Sequence, residues 1–96
     1  MYARVATFEG NPATLDEAIN SVRGDVESGN RPPGLEGAKE MMMLVNRDSG
    51  KSVGVILFDS EEELRRGDEA LNNMSPGGGG KRLSVELYEV AVRAGG

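Results

Sequence analysis

The sequence predicts an α+β chain of 96 residues in which two helices cover one face of a four-stranded antiparallel sheet, in the order βαββαβ. Three observations predict it. Residues 1–9, 37–47, 52–59 and 82–93 alternate or concentrate apolar side chains in the manner of strands. Two intervening segments carry apolar residues at helical spacing behind capping signals. Glycine, proline, asparagine and serine cluster at the joints.

The elements follow in order. In the first strand Tyr2, Arg4, Ala6 and Phe8 share one face. Gly10-Asn11-Pro12 ends it, Pro12 suits a first helical turn, and Thr14 with Glu17 matches a capping box. Leu15, Ala18, Ile19, Val22 and Val26 then form one apolar stripe. Gly24 within it costs about 1 kcal/mol against alanine, so either close packing compensates or the helix ends near it. Residues 28–36, with two prolines, read as a loop. The second strand carries Met41-Met42-Met43-Leu44-Val45, and Asp48-Ser49-Gly50-Lys51 reads as a hairpin turn. In the third strand Val53, Val55 and Leu57 face one way and Gly54, Ile56 and Phe58 the other, which implies burial on both sides.

Ser60 with Glu63 is a second capping box, and Glu61 and Glu62 suit the positive end of the helix dipole. Leu64, Leu71 and Met74 form the second stripe. Gly67 lies in the same row, where a missing side chain lets the helix approach the sheet closely. Ser75-Pro76 and the glycines at 77–80 read as a flexible linker. In the last strand Leu83, Val85 and Leu87 oppose Tyr88, Val90 and Val92, and the swap of apolar register predicts a bulge near Leu87 and Tyr88. Residues 94–96 are expected to fray.

Right-handed crossovers then give the spatial order 4-1-3-2 with both helices on one face, the ferredoxin-like arrangement. The length suits one domain with a modest core. The other sheet face keeps apolar side chains, so a twofold homodimer with sheets packed face to face is expected. The net charge of −5 weighs against nucleic acid as a partner. No apolar run is long enough to span a membrane and no secretory segment is visible, so a cytoplasmic location is expected.

The chain has no cysteine and no histidine. Disulfides, thiolate chemistry, Cys/His zinc sites and Ser–His dyads are therefore excluded, and neither a cofactor nor a metal site is expected. Arg4 and Tyr88 are the first candidates for a ligand site, since the first and last strands are neighbours in this topology. Tyr2, Phe8 and Phe58 would add aromatic surface beside them. A guanidinium and a phenol there suit a phenolic or quinoid ligand through oxyanion stabilisation. The alternative is a cross-strand pair of Arg4 with Glu86 or Glu89, and Tyr88 in the core or a dimer interface. Met41 and Met43 offer an adaptable surface for a flat apolar ligand, or plain packing.

Other motifs have structural readings. Arg23-Gly24-Asp25 and Arg66-Gly67-Asp68 fall within helices. The stretch Gly77-Gly78-Gly79-Gly80-Lys81-Arg82 lacks the Ser/Thr and the following helix of a phosphate-binding loop. Asp59, Glu61, Glu62 and Glu63 serve a helix N-terminus.

The string Gly54-Val55-Ile56-Leu57-Phe58-Asp59-Ser60-Glu61-Glu62-Glu63-Leu64 resembles the third-strand-to-second-helix segment of antibiotic-biosynthesis-monooxygenase-like proteins, within the dimeric α/β barrels. Pro33-Gly34-Leu35-Glu36-Gly37 and the hairpin Asn46-Arg47-Asp48-Ser49-Gly50-Lys51 are similar to that group as well. The resemblance implies a homodimer and a small aromatic or polyketide-like ligand. The activities it implies are cofactor-independent oxygenation and haem degradation. The haem-degrading branch relies on a histidine, a tryptophan and a first-strand asparagine, none of which this chain supplies. A non-catalytic dimeric module that binds a small ligand or a protein partner is the alternative.

Overall fold

The structure, a computed structural model, describes residues 1–29, 34–73 and 81–95. Its elements are β1 (Tyr2–Glu9), a 3-10 turn (Pro12–Thr14), α1 (Leu15–Glu27), β2 (Ala38–Val45), β3 (Ser52–Phe58), α2 (Glu61–Asn72) and β4 (Lys81–Glu89). The strands form one antiparallel sheet in the order β2-β3-β1-β4, as the crossover rules predict. The glycine linker and Met74 lie outside the described residues.

Register assigns the faces. Tyr2, Arg4 and Ala6 pair with Phe58, Ile56 and Gly54 of β3 on one side and with Glu89, Leu87 and Val85 of β4 on the other. Cross-strand partners share a face, so all of these belong to the side covered by the helices. Met41 and Met43 join them, opposite Ile56 and Gly54. Ala3, Val5, Met42, Leu44, Val55 and Tyr88 belong to the outer face. The core sits under α2, where Leu35, Ala38, Ile56, Phe58 and Leu64 cluster and Tyr2 and Leu71 pack against them. Gly67 rests on Phe58: a Cβ there would stand 2.6 Å from the ring. The close approach predicted for this glycine is present.

Several expectations are corrected. Thr14 makes no side-chain cap. Asn11 instead accepts a hydrogen bond from the Ala13 N–H at 2.9 Å, capping the 3-10 turn that leads into α1. A Cβ at Gly24 would meet nothing within 4 Å, so close packing does not explain the glycine; the helix instead ends near it, at Glu27, where the Ser28 N–H donates to the Gly24 carbonyl. The bulge lies where Arg82 and Ser84 oppose Phe8 and Thr7, not at Leu87–Tyr88. β4 ends at Glu89, and beyond it the Val90 N–H donates to the Met1 carbonyl at 2.9 Å. Arg93 then reaches Glu40 of β2, at the opposite edge of the sheet, at 2.9 Å. Leu35, in the predicted loop, is a core residue.

The second capping box is as predicted, with Ser60 Oγ accepting from the Glu63 N–H at 3.2 Å. The neighbouring acids are engaged in ion pairs: Asp59 with Lys39, Glu61 with Arg65 and Glu62 with Arg66. Among the described residues no helix is long and apolar enough to cross a membrane.

Candidate functional site

Helix α1 carries the predicted apolar stripe but does not close onto the sheet. Leu15 is buried at its start, while Val22 and Val26 are 41% and 57% exposed. The helix is anchored at its N-terminal end. There Arg47 of the hairpin pairs with Asp16 at 3.1 Å, and Gly10 and Gly50 bring two backbones together. Gly50 takes φ +82°, and a Cβ on it would meet the Gly10 carbonyl oxygen and Pro12 within 2.7 Å, so the join requires glycine. Past this anchor the helix stands away from the strands.

The space left is a cavity of about 560 Å³ between α1 and the sheet. Leu15, Ala18, Val22 and Val26 form its roof, and Phe8, Met41, Met43 and Ile56 form its floor. Gly54 lies in the middle of that floor, between Ala6 and Met43 in the ladders, and a Cβ there would meet no atom within 4 Å. The cavity exists because a central strand position carries no side chain and the helix above it does not descend. Leu71, Asn72 and Arg82 close one end.

A polar network sits at that end. Arg4, 5% exposed, donates from Nε to Asp68 Oδ1 at 3.0 Å and from Nη2 to Asn72 Oδ1 at 3.3 Å. Arg82 donates from Nη1 to the same Asn72 oxygen at 2.8 Å. The network ties β1 and the start of β4 to the last turn of α2.

The sequence-predicted residues separate. Phe8, Met41 and Met43 line the cavity. Phe58 is fully buried in the core, and Tyr2 packs against the same cluster. Arg4 and Tyr88 do not meet. Arg4 has Leu87 as its β4 partner, whereas Tyr88 stands opposite Ala3 and so points from the outer face. Arg4 takes its carboxylate from Asp68 of α2 rather than from Glu86 or Glu89. Tyr88 is 48% exposed and donates a hydrogen bond to Glu86. That bond pushes its phenol above the ordinary tyrosine range, with desolvation and the Glu86 charge adding to it. Gly54, Asn72 and Arg82 are the residues that sequence reasoning missed. Neither an amide at the end of a helix nor a lone arginine after a glycine run carries a periodic signal.

Solved structures share this architecture over essentially the whole chain. An arginine-to-serine variant of MhuD, with two manganese protoporphyrin IX molecules bound per active site, superposes with a TM-score of 0.69 at 14% identity, covering 100% of both chains. A Deinococcus radiodurans protein assigned as an antibiotic biosynthesis monooxygenase gives 0.63 at 10% identity, again over 100% of both chains. Rv0793 from Mycobacterium tuberculosis gives 0.57 at 13% identity over 98% of each. No protein-family model and no curated protein matches the chain. The chain therefore has a ferredoxin-like α+β fold. More particularly, its fold is that of the antibiotic-biosynthesis-monooxygenase-like proteins.

Proposed function

We propose that this protein binds a flat, largely apolar small molecule in the cavity between α1 and the sheet and acts on it as a cofactor-independent oxygenase. The observation that carries the reading is the hollow itself, floored by Gly54 and roofed by an undescended apolar helix face. Its volume falls within the roughly 300–1,000 Å³ usual for ligand pockets. With no histidine or cysteine in the chain, the chemistry falls to the substrate. An acidic C–H flanked by aromatic rings loses its proton to one water held with the substrate, and the peroxide formed in the next step takes that proton back. The carbanion gives its electrons to O2, and loss of water from the resulting hydroperoxide leaves a carbonyl. In sum, one CH2 and one O2 become one C=O and one H2O. The protein's part is orientation and exclusion of bulk water.

The cavity walls offer no imidazole or thiolate to a metal such as that of the metalloporphyrin seen in MhuD, and methionine thioethers are the soft donors among the described lining residues. A second reading, binding without turnover, is favoured by the same walls. Among the described residues their carboxylates are Glu9 and Asp25, and both are exposed. A second copy of the chain on the outer face, against Val5, Met42, Leu44 and Val55, completes the proposal as a twofold homodimer. A solution mass that stays monomeric at every concentration counts against it.

The test uses Gly54→Leu, whose Cβ would meet no atom within 4 Å and whose remaining atoms project into the floor of the cavity. Binding of N-phenyl-1-naphthylamine, read by fluorescence, is expected to weaken about tenfold or more, the scale on which 1.4 kcal/mol of lost contact acts. The melting temperature should not fall. Unchanged binding overturns the cavity reading. Anthrone then separates the two readings: stoichiometric O2 uptake with anthraquinone formation marks an oxygenase, and binding alone marks a module.

A further inference from the structure

We infer that the ligand carries an anionic oxygen group, held by the guanidinium of Arg82 and the side-chain amide of Asn72 at the end of the cavity. The inference rests on the cavity being the ligand site. It goes further by giving that ligand a charge and an orientation.

Two arginines meet at the last turn of α2, and their charges are treated differently. Arg4 is buried and spends its charge internally on Asp68 at 3.0 Å. Arg82 is exposed, and it donates to a neutral amide oxygen at 2.8 Å. Among the described residues no carboxylate lies within ion-pair distance of it. It is also the one cation among the described residues lining the cavity. Of the two acids in the lining, Glu9 stands opposite Lys81 in the β1–β4 ladder, and Asp25 belongs to the second half of α1.

Asn72 sharpens the assignment. Its Oδ1 accepts from both guanidinium groups, at 3.3 and 2.8 Å, which fixes the amide orientation. Its Nδ2 is thereby left as a donor pointing away from the arginines. One guanidinium edge and one amide N–H2 make a donor set with no charge partner among the described residues. The same two residues also line a second recess of about 530 Å³ beside α2, so they stand between two open spaces. The negative end of the α2 dipole lies on this side and opposes an anion with about half a charge; the full charge of Arg82 exceeds it. The rest of the cavity is mostly aliphatic, thioether and aromatic surface. A molecule matching both parts has a flat apolar body and one carboxylate, sulfonate or enolate oxygen. Charge-assisted hydrogen bonds of this kind are the stronger ones.

The experiment uses two fluorescent probes with the same rings. 1-Anilinonaphthalene-8-sulfonate carries an anionic group, and N-phenyl-1-naphthylamine does not. With the wild-type protein, saturable one-to-one binding of both is expected, the sulfonate binding tighter. Arg82→Gln should weaken the sulfonate about tenfold, the effect of losing one charge-assisted contact, and leave the neutral probe within about twofold. Arg82→Lys should keep part of the preference. Raising the salt from about 0.05 to 0.5 M should weaken only the sulfonate, because screening acts on the exposed charge. Gly54→Leu should weaken both probes about tenfold or more. If Arg82→Gln leaves the sulfonate unchanged, or weakens both probes equally, while Gly54→Leu still weakens both, the anion site is wrong and the cavity stands. If Gly54→Leu changes neither probe, or the wild type binds neither, the cavity reading falls and takes this inference with it.

Discussion

The tripeptide Arg-Gly-Asp occurs once in each helix, and the two copies have different surroundings. In α2, Gly67 is buried against Phe58, Asp68 holds the buried Arg4, and Arg66 pairs with Glu62. In α1, Gly24 touches nothing within 4 Å, and Asp25 stands at the lining of an open cavity. The helices cover the same face of the same sheet, and each carries an apolar stripe. One is closed onto the strands and the other is held off them. The difference divides the labour of the molecule: packing energy is concentrated under α2, and ligand space is kept under α1. Identical residues therefore answer to different constraints, and substituting them in pairs tests the division directly.

The largest effect is expected at the aspartates. Asp68→Ala leaves the Arg4 guanidinium buried beside an unfilled acceptor site. Breaking a buried pair from one side costs about 3–5 kcal/mol, and the partial exposure of Asp68 argues for the lower end, about 3 kcal/mol. Asp25→Ala should change stability by no more than about 0.5 kcal/mol, as surface substitutions do. Urea unfolding of both variants checks the pair. Equal midpoints would remove the claim that Arg4 and Asp68 clamp β1 to α2.

The glycines come next. A methyl group on Gly67 would stand 2.6 Å from the Phe58 ring and 3.1 Å from Leu35 Cδ2. Overpacking of this kind costs about 3 kcal/mol in a site that cannot yield, and the helix propensity of alanine returns about 1. Gly67→Ala should therefore destabilise by about 2 kcal/mol, read as a lower thermal midpoint. A stabilised variant would mean that α2 packs less tightly than its contacts indicate.

Much of this contrast was legible in the sequence, but only up to a point. Periodicity gave the element order, and handedness gave the strand order, because both depend on local sterics and chain connectivity. Gly67 stood out because it falls in the row of Leu64 and Leu71. An apolar stripe, however, tells which side of a helix turns to the sheet and not how far away it sits. Leu15, Ala18, Val22 and Val26 read the same whether they pack on strands or roof a cavity. Arg4 and Tyr88 were assigned to one site through a neighbouring-strand argument. Their faces depend on the parity of the β1–β4 pairing, which is set by the bulge opposite Thr7 and Phe8. Apolar patterning misplaced that bulge, since an edge strand with half-exposed leucines constrains register weakly. Leu35 escaped because nothing periodic surrounds it.

The smallest predicted effect is the most direct probe of the open side. At Gly24 there is no neighbour to displace, and among the positive-φ glycines only Gly29, Gly34 and Gly50 appear, so its backbone conformation suits any residue. Gly24→Ala should then stabilise the protein by about 0.5–1 kcal/mol, through higher helix propensity and a less flexible unfolded chain. The same substitution thus carries opposite signs in the two helices. Ligand binding decides what the glycine is for. If α1 must move to admit a molecule between Val22 and the sheet, a stiffer helix slows association of the neutral naphthylamine probe while leaving its equilibrium affinity almost unchanged. If the cavity is open at rest, Gly24→Ala raises the melting midpoint and alters neither rate. A loss of stability would place an unseen contact at this position and make α1 the better-packed helix of the two.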